Sequence, residues 1–111
     1  ENTIMLADVS PQMQEAETFF ISTIKQEIKE IEKFRNPTTE RVISDAMDQL
    51  EILENKYKEL ITELNQTNKD KRIIYAMISN YQSRIEILQN VLTQIDKINN
   101  PKNNQDEEIY I

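Results

Sequence analysis

The stretch ISDAMDQLEILENKYKELITEL, residues 43–64, decides the fold. Its core-type residues fall at Ile43, Ala46, Leu50, Leu53, Tyr57, Leu60 and Leu64, in steps that alternate three and four without a break. A strand would alternate every second residue, whereas a 3.5-residue repeat is the seam of an α-helix packed along another helix. The same pattern returns at Ile74, Ile78, Tyr81, Ile85, Leu88, Leu92 and Ile95, with Met77, Val91 and Ile98 widening the apolar face. A looser version runs through Met13, Ala16, Phe20, Ile24, Ile28, Ile31 and Phe34. A wide stripe suits a helix that touches two neighbours, so the spacing predicts a three-helix bundle rather than an isolated two-stranded coil.

The breaks between these runs set the boundaries. Ser10-Pro11 reads as an N-cap followed by proline at the first helical position. Asn36-Pro37 stops the first helix and opens the second, and the polar run from Asn65 to Asp70 is the next turn, with Asn68 or Asp70 as cap. The expected organisation is an apolar lead or tether at 1–10, a three-helix domain at 11–100 with helices at about 11–35, 37–66 and 70–99, and a disordered tail at 101–111. Short turns make sequential helices antiparallel, and the second and third form a long coiled-coil-like hairpin of roughly 45 Å. The chain of 111 residues has no glycine, which removes the usual residue for tight hairpins, phosphate loops and helix ends in the left-handed conformation. An all-α fold joined by Asn- and Pro-containing turns follows.

Composition narrows function mostly by exclusion. Twenty acidic residues against 13 basic ones give a net charge of −7, and the basic residues are scattered, so neither nucleic acid nor an anionic lipid surface is an expected partner. Without His or Cys the common nucleophile–base pairs cannot be built, and the Glu-x-x-His metal sites of helical bundles are missing their imidazole. No catalytic residue, cofactor or metal site is expected, and the chain reads as no enzyme. No stretch approaches the roughly 20 apolar residues of a membrane span.

Two groups of residues stand out from the pattern. Arg84 lies inside the apolar stripe of the third helix, and Glu17 and Glu27 lie within or beside that of the first. An internal ion pair among them would fix helix register; the alternative places Arg84 at the stripe edge with its head reaching water. Phe19, Ile52, Tyr75 and Ile87 are apolar but off the stripes, and Ile52 and Ile87 share a height on the hairpin. They are candidates for contact with a partner protein or a second copy. In the lead, Met5, Leu6 or Val9 can staple against Met13 or Gln14 at the first helix turn, or fold back on the bundle end; the alternative is a tether leaving a membrane helix just upstream.

The lead LADVSPQMQEAETFF (6–20), the hairpin DQLEILENKYKELITELNQTNKDKRIIYAMISNYQSRIEILQNVLTQI (48–95), with its phrases RIIYAMISNYQ and ILQNVL, and the Asn-rich tail are similar to the C-terminal part of small bacterial single-pass membrane proteins grouped with anti-sigma factors. The resemblance covers about residues 4–100. It implies a helical extracytoplasmic domain, a membrane segment upstream of this chain and a regulatory role through protein contact. On the residues alone, a soluble coiled-coil adaptor and a small-molecule-sensing bundle, with Arg84 and Tyr81 converging on a pocket, stand as alternatives.

Overall fold

The computed structural model describes residues 4–100. A short 3-10 turn at Leu6–Asp8 precedes α1 (Pro11–Glu32), α2 (Glu40–Gln66) and α3 (Lys71–Asn99). The described residues form an all-α three-helix bundle with no strand, and all three helices pack on one another. Phe20 of α1 stacks on Tyr81 of α3, and further along Ile31 meets Ile43, Val91 and Ile95. Thus α1 and α3 run parallel, and α2 runs antiparallel to both.

The core is divided in two. At the α1–α2 turn, Ile31, Ile43, Ala46, Leu50, Leu88, Val91 and Ile95 are buried together. At the other end Leu6, Tyr57, Leu64, Met77 and Tyr81 form a second cluster, with Val9, Met13 and Phe20 half-buried against it. Leu6 is fully buried there, and the lead is pinned by Asn65, whose Oδ1 accepts from Ile4 N at 2.7 Å and whose Nδ2 donates to Ile4 O at 2.9 Å. Residues 4–9 therefore lie on the end of the bundle, next to the Ser10 cap, whose hydroxyl accepts from Met13 N at 3.1 Å. The expected tail at 101–111 lies outside the described residues.

The first turn corrects two sequence boundaries. The first helix ends at Glu32 rather than Arg35, and α2 begins at Glu40 rather than Pro37. The side chain of Thr39 is the reason. It is fully buried, its hydroxyl donates to Phe34 O at 2.6 Å and accepts from Asn36 N at 3.0 Å, and Asn36 Oδ1 accepts from Thr38 N and Thr39 N. These local bonds give residues 36–39 a turn of their own, so Pro37 lies within the connection instead of at a helix start. Arg35 clamps the turn from outside, bonding Glu32 at 2.7 Å and Glu40 at 2.8 Å.

The second turn is built without glycine at a cost. Asn68 and Lys69 both adopt left-handed backbone angles, with φ of 58° and 66°. Asparagine tolerates this conformation; lysine pays the full Cβ–carbonyl clash of about 1–2 kcal/mol. Lys69 N still closes on Leu64 O at 3.1 Å, and Asp70 then caps α3 by accepting from Arg72 N at 2.8 Å. Replacing Lys69 by glycine is expected to stabilise the fold by about 1 kcal/mol and raise the melting midpoint by several degrees. Thermal denaturation followed by circular dichroism checks this, and an unchanged or lower midpoint would contradict it.

The apolar seam of α3 is also rotated from the row that the sequence suggests. Its buried positions are Met77, Asn80, Tyr81, Arg84, Leu88, Val91 and Ile95. Ile74, Ile78, Ile85 and Leu92 are only half-buried. Because α3 meets both other helices, its two apolar rows serve one neighbour each, and the centre of burial falls between them, across Asn80 and Arg84.

Candidate functional site

The sequence gives α1 only one polar residue that its helix buries, Glu17, which is 5% exposed. Its Oε2 accepts hydrogen bonds from the hydroxyls of Tyr57 and Tyr81, the latter at 2.6 Å, and its Oε1 accepts from Ala7 N at 2.9 Å. One carboxylate thus ties together the lead and all three helices. The two tyrosines are stripe residues of α2 and α3 at the same height, with ring centroids 4.9 Å apart. Burial, reinforced by the Glu17 carboxylate that their hydroxyls serve, pushes both phenols up, Tyr81 to about 12 and Tyr57 further.

Arg84 lies on the other side of these rings. It is 7% exposed, with its guanidinium carbon 4.5 Å from the Tyr81 ring centroid and 5.4 Å from that of Tyr57. Its Nε donates to Asn80 Oδ1 at 3.0 Å, and Asn80 Nδ2 donates in turn to Leu53 O on α2 at 2.9 Å. Both sequence readings of Arg84 are corrected here. Its side chain is not at the stripe edge but buried on the two rings, and only the outer edge of the guanidinium borders the open side of the bundle. Nor does it form the expected ion pair with Glu17 or Glu27, since among the described residues no carboxylate lies within ion-pair distance of it. The tyrosines stand between Arg84 and Glu17, taking the carboxylate on their hydroxyls and the cation on their faces.

Glu27 is separate from this cluster. It is half-buried, and its Oε1 is shielded from solvent without a hydrogen-bond partner among the described residues. Burial raises its pKa, with neighbouring Gln89 pulling the other way.

The off-stripe apolar residues do not form one face. Phe19, Ile52 and Tyr75 are each about two-thirds exposed, at 64%, 66% and 65%, one on each helix. Ile87 differs, being half-buried against the core cluster at the α1–α2 turn and lining a shallow outer groove with Val42, Asp45 and Gln49 of α2. Ile52 and Ile87 share a height but not a surface, because α3 turns Ile87 toward α2.

Between α1 and α2 the bundle is open. A groove of about 490 Å³ is lined by Ile21, Ile24, Ile28 and Ile61, with Tyr57, Tyr81 and Arg84 among its other lining residues. It continues past Ile24, Ile28, Glu54 and Arg84 into a second recess of about 330 Å³ that reaches Met47 and Leu50. Among the described residues no cluster of three or more acidic residues is placed to hold a metal ion, and no helix is long and apolar enough to cross a membrane.

No protein-family model, no curated protein and no solved structure matches the chain.

Sequence reasoning reached Glu17 and Arg84 but missed what joins them. Tyr57 and Tyr81 read as ordinary stripe residues. The available signal was that two phenols buried at equal height need acceptors, and α1 offers an acidic residue on its apolar side. Asn80 carried no signal, because it lies off the best-scoring stripe.

Proposed function

We propose that this chain is a non-catalytic protein-interaction domain. The supporting observation is the exposure of Phe19, Ile52 and Tyr75, each holding roughly two-thirds of its surface in solvent on a bundle whose ends are otherwise closed by buried apolar clusters. Aromatic side chains of this kind are enriched where proteins meet. The polar groups with reactive potential, Glu17 and the two phenols, are bonded to one another and hold the helices together, which supports a structural role for them over a catalytic one. The resemblance supports a specific form of this reading, the extracytoplasmic domain of a membrane-anchored regulator of the anti-sigma kind. A soluble adaptor or assembly factor is the alternative. An apolar stretch of about twenty residues encoded before Glu1 separates the two.

The test uses the full-length protein in cells that make it, with a photo-crosslinking residue at position 19, 52 or 75 in turn. A discrete adduct, to a second copy or to another protein, is expected from at least one position. An adduct should be lost when a neighbouring exposed residue of the same helix is changed to Lys, and Ile52→Lys or Phe19→Ser alone should alter stability by no more than about 0.5 kcal/mol, since both sites are exposed. No adduct at any position, together with a monomeric mass at all concentrations, overturns the reading.

A further inference from the structure

The open seam between α1 and α2 has the chemistry of a site for a small amphiphile. Its walls are Ile21, Ile24, Ile28 and Ile61, with Met5 at the end nearest the lead. Arg84 lines both recesses of the seam and is more than nine-tenths buried, yet only its Nε is engaged, on Asn80. Neither of its Nη nitrogens makes a hydrogen bond among the described residues, and neither counts as sealed from solvent. A guanidinium whose outer edge is unpaired on an apolar groove is set for a two-oxygen acceptor. The Tyr57 and Tyr81 hydroxyls are not rival donors, because both are committed to Glu17.

The surrounding charges select the head group. Lys25 and Lys58 line the larger recess with Arg84, against the single carboxylate of Glu54, so this part of a net acidic chain is locally cationic. Glu51 and Glu54 line the smaller recess and repel a second negative charge. The two lysines stand at the exposed rim, whereas Glu51 and Glu54 are the charged residues that share the smaller recess with Arg84, so the balance at the guanidinium favours a monoanion over a phosphate dianion. The wall from Glu54 to Ile61 covers two turns of α2, about 10 Å of groove, and the apolar lining comes chiefly from Ile21, Ile24 and Ile28 of α1 with Ile61. The volume lies in the range of sites that enclose small ligands, which are mostly apolar with a few convergent polar groups.

We propose that the α1–α2 seam binds a free single-chain carboxylate, its head on the Arg84 Nη nitrogens and its alkyl chain along Ile21, Ile24 and Ile61 toward Met5. This goes beyond the interaction reading above and does not depend on it.

Calorimetric titration and amide chemical-shift mapping with decanoate test the proposal on the whole chain. Saturable one-to-one binding is expected, with shifts centred on the seam. Affinity should rise about two- to fourfold for each methylene added from octanoate to dodecanoate. Methyl decanoate and decyltrimethylammonium, which keep the tail and lose the carboxylate, should bind at least tenfold more weakly. Arg84→Gln should weaken decanoate at least tenfold. Because Arg84 packs on two core tyrosines, Lys25→Glu/Lys58→Glu, both at exposed positions, serves as the second variant and should weaken it severalfold with an unchanged melting midpoint. Equal binding of the cationic amphiphile, shifts away from the seam, or an unaffected double-lysine variant would overturn the assignment. Binding to anionic vesicles in preference to monomeric decanoate would overturn it too, by giving the seam to a membrane surface.

Discussion

Glu17→Ala is expected to lower the stability of the bundle by about 3–5 kcal/mol, the largest loss of any single polar substitution in the chain. The change removes the shared acceptor of the Tyr57 hydroxyl, the Tyr81 hydroxyl and the Ala7 amide, and leaves a void between them. Each stranded donor costs roughly 1–3 kcal/mol, and a buried group deprived of its partner sits at the upper end of that range. For a domain of this size the melting midpoint should fall by about 15–30 °C. Glu17→Gln should be far milder, near 1 kcal/mol. Its amide oxygen can still accept from Ala7 N and its NH₂ can donate to the phenol oxygens, so no void opens, and the phenol hydrogens, which lose Oε2 as acceptor, account for the remaining loss. Chemical denaturation of the two variants separates shape from charge. Equal losses would mean that the negative charge facing the tyrosines matters more than the hydrogen bonds, and a loss below about 1 kcal/mol for Glu17→Ala would remove the cluster from the account of the fold.

The second large effect is alkaline. In the unfolded chain a phenol ionises near pH 10, whereas in the bundle Tyr81 is held to about 12 and Tyr57 higher. A raised folded pKa means that the native state keeps its proton while the unfolded state releases it. The stability supplied by these two groups is therefore complete below pH 10 and is lost as pH climbs from there. The slope is about 1.4 kcal/mol per pH unit for each phenol, so the pair withdraws on the order of 5 kcal/mol by pH 12. That equals the lower end of total stability for a small domain. Unfolding is expected as pH approaches 12, with tyrosinate absorbance from these residues appearing together with the loss of helical signal. Tyr81→Phe should be less stable at neutral pH and show a shallower alkaline decline. A free, stepwise rise in tyrosinate absorbance with the helices intact would contradict the buried cluster.

How much of this was legible in the sequence varied with the kind of interaction. The alternating threes and fours from Ile43 to Leu64 specify α2 because helix burial is a property of spacing alone. Boundaries set by side chains of the turn itself were less visible. Pro37 has the right chemistry to start a helix, and only the buried Thr39 hydroxyl, bonded across the turn to Phe34 O, shows why α2 waits until Glu40. The buried cluster was legible as two charged residues in unexpected places, Glu17 and Arg84, but not as a cluster. Hydropathy weighs tyrosine by its ring, and no periodic pattern tells which phenols share a height on different helices. The rotation of α3 came from the same source. Two neighbours draw on two rows, and the mean direction passes through residues that a one-row stripe treats as solvent-facing.

The cluster of Glu17, Tyr57, Tyr81 and Arg84 answers a problem inherent in heptad sequences. A helix with a seven-residue repeat can slide one repeat along its neighbour and still match apolar to apolar, so the α2–α3 hairpin has several alignments of similar hydrophobic content. In the observed one, Asn80 meets the Leu53 carbonyl and Arg84 meets the Tyr57 and Tyr81 rings. Sliding α3 by one heptad in either direction would still offer Asn80 a main-chain carbonyl, at Ala46 or Leu60, and Tyr81 would travel with Arg84, but both would leave Tyr57, so the two hydroxyls could no longer meet on the Glu17 carboxylate. The slipped alignments thus keep their oily contacts and forfeit the bridge from Tyr57 through Glu17 to Tyr81, in the manner of a polar position that fixes the register of a coiled coil. A chain with no glycine and a long, repetitive apolar seam obtains its one alignment from the few polar atoms that the seam carries.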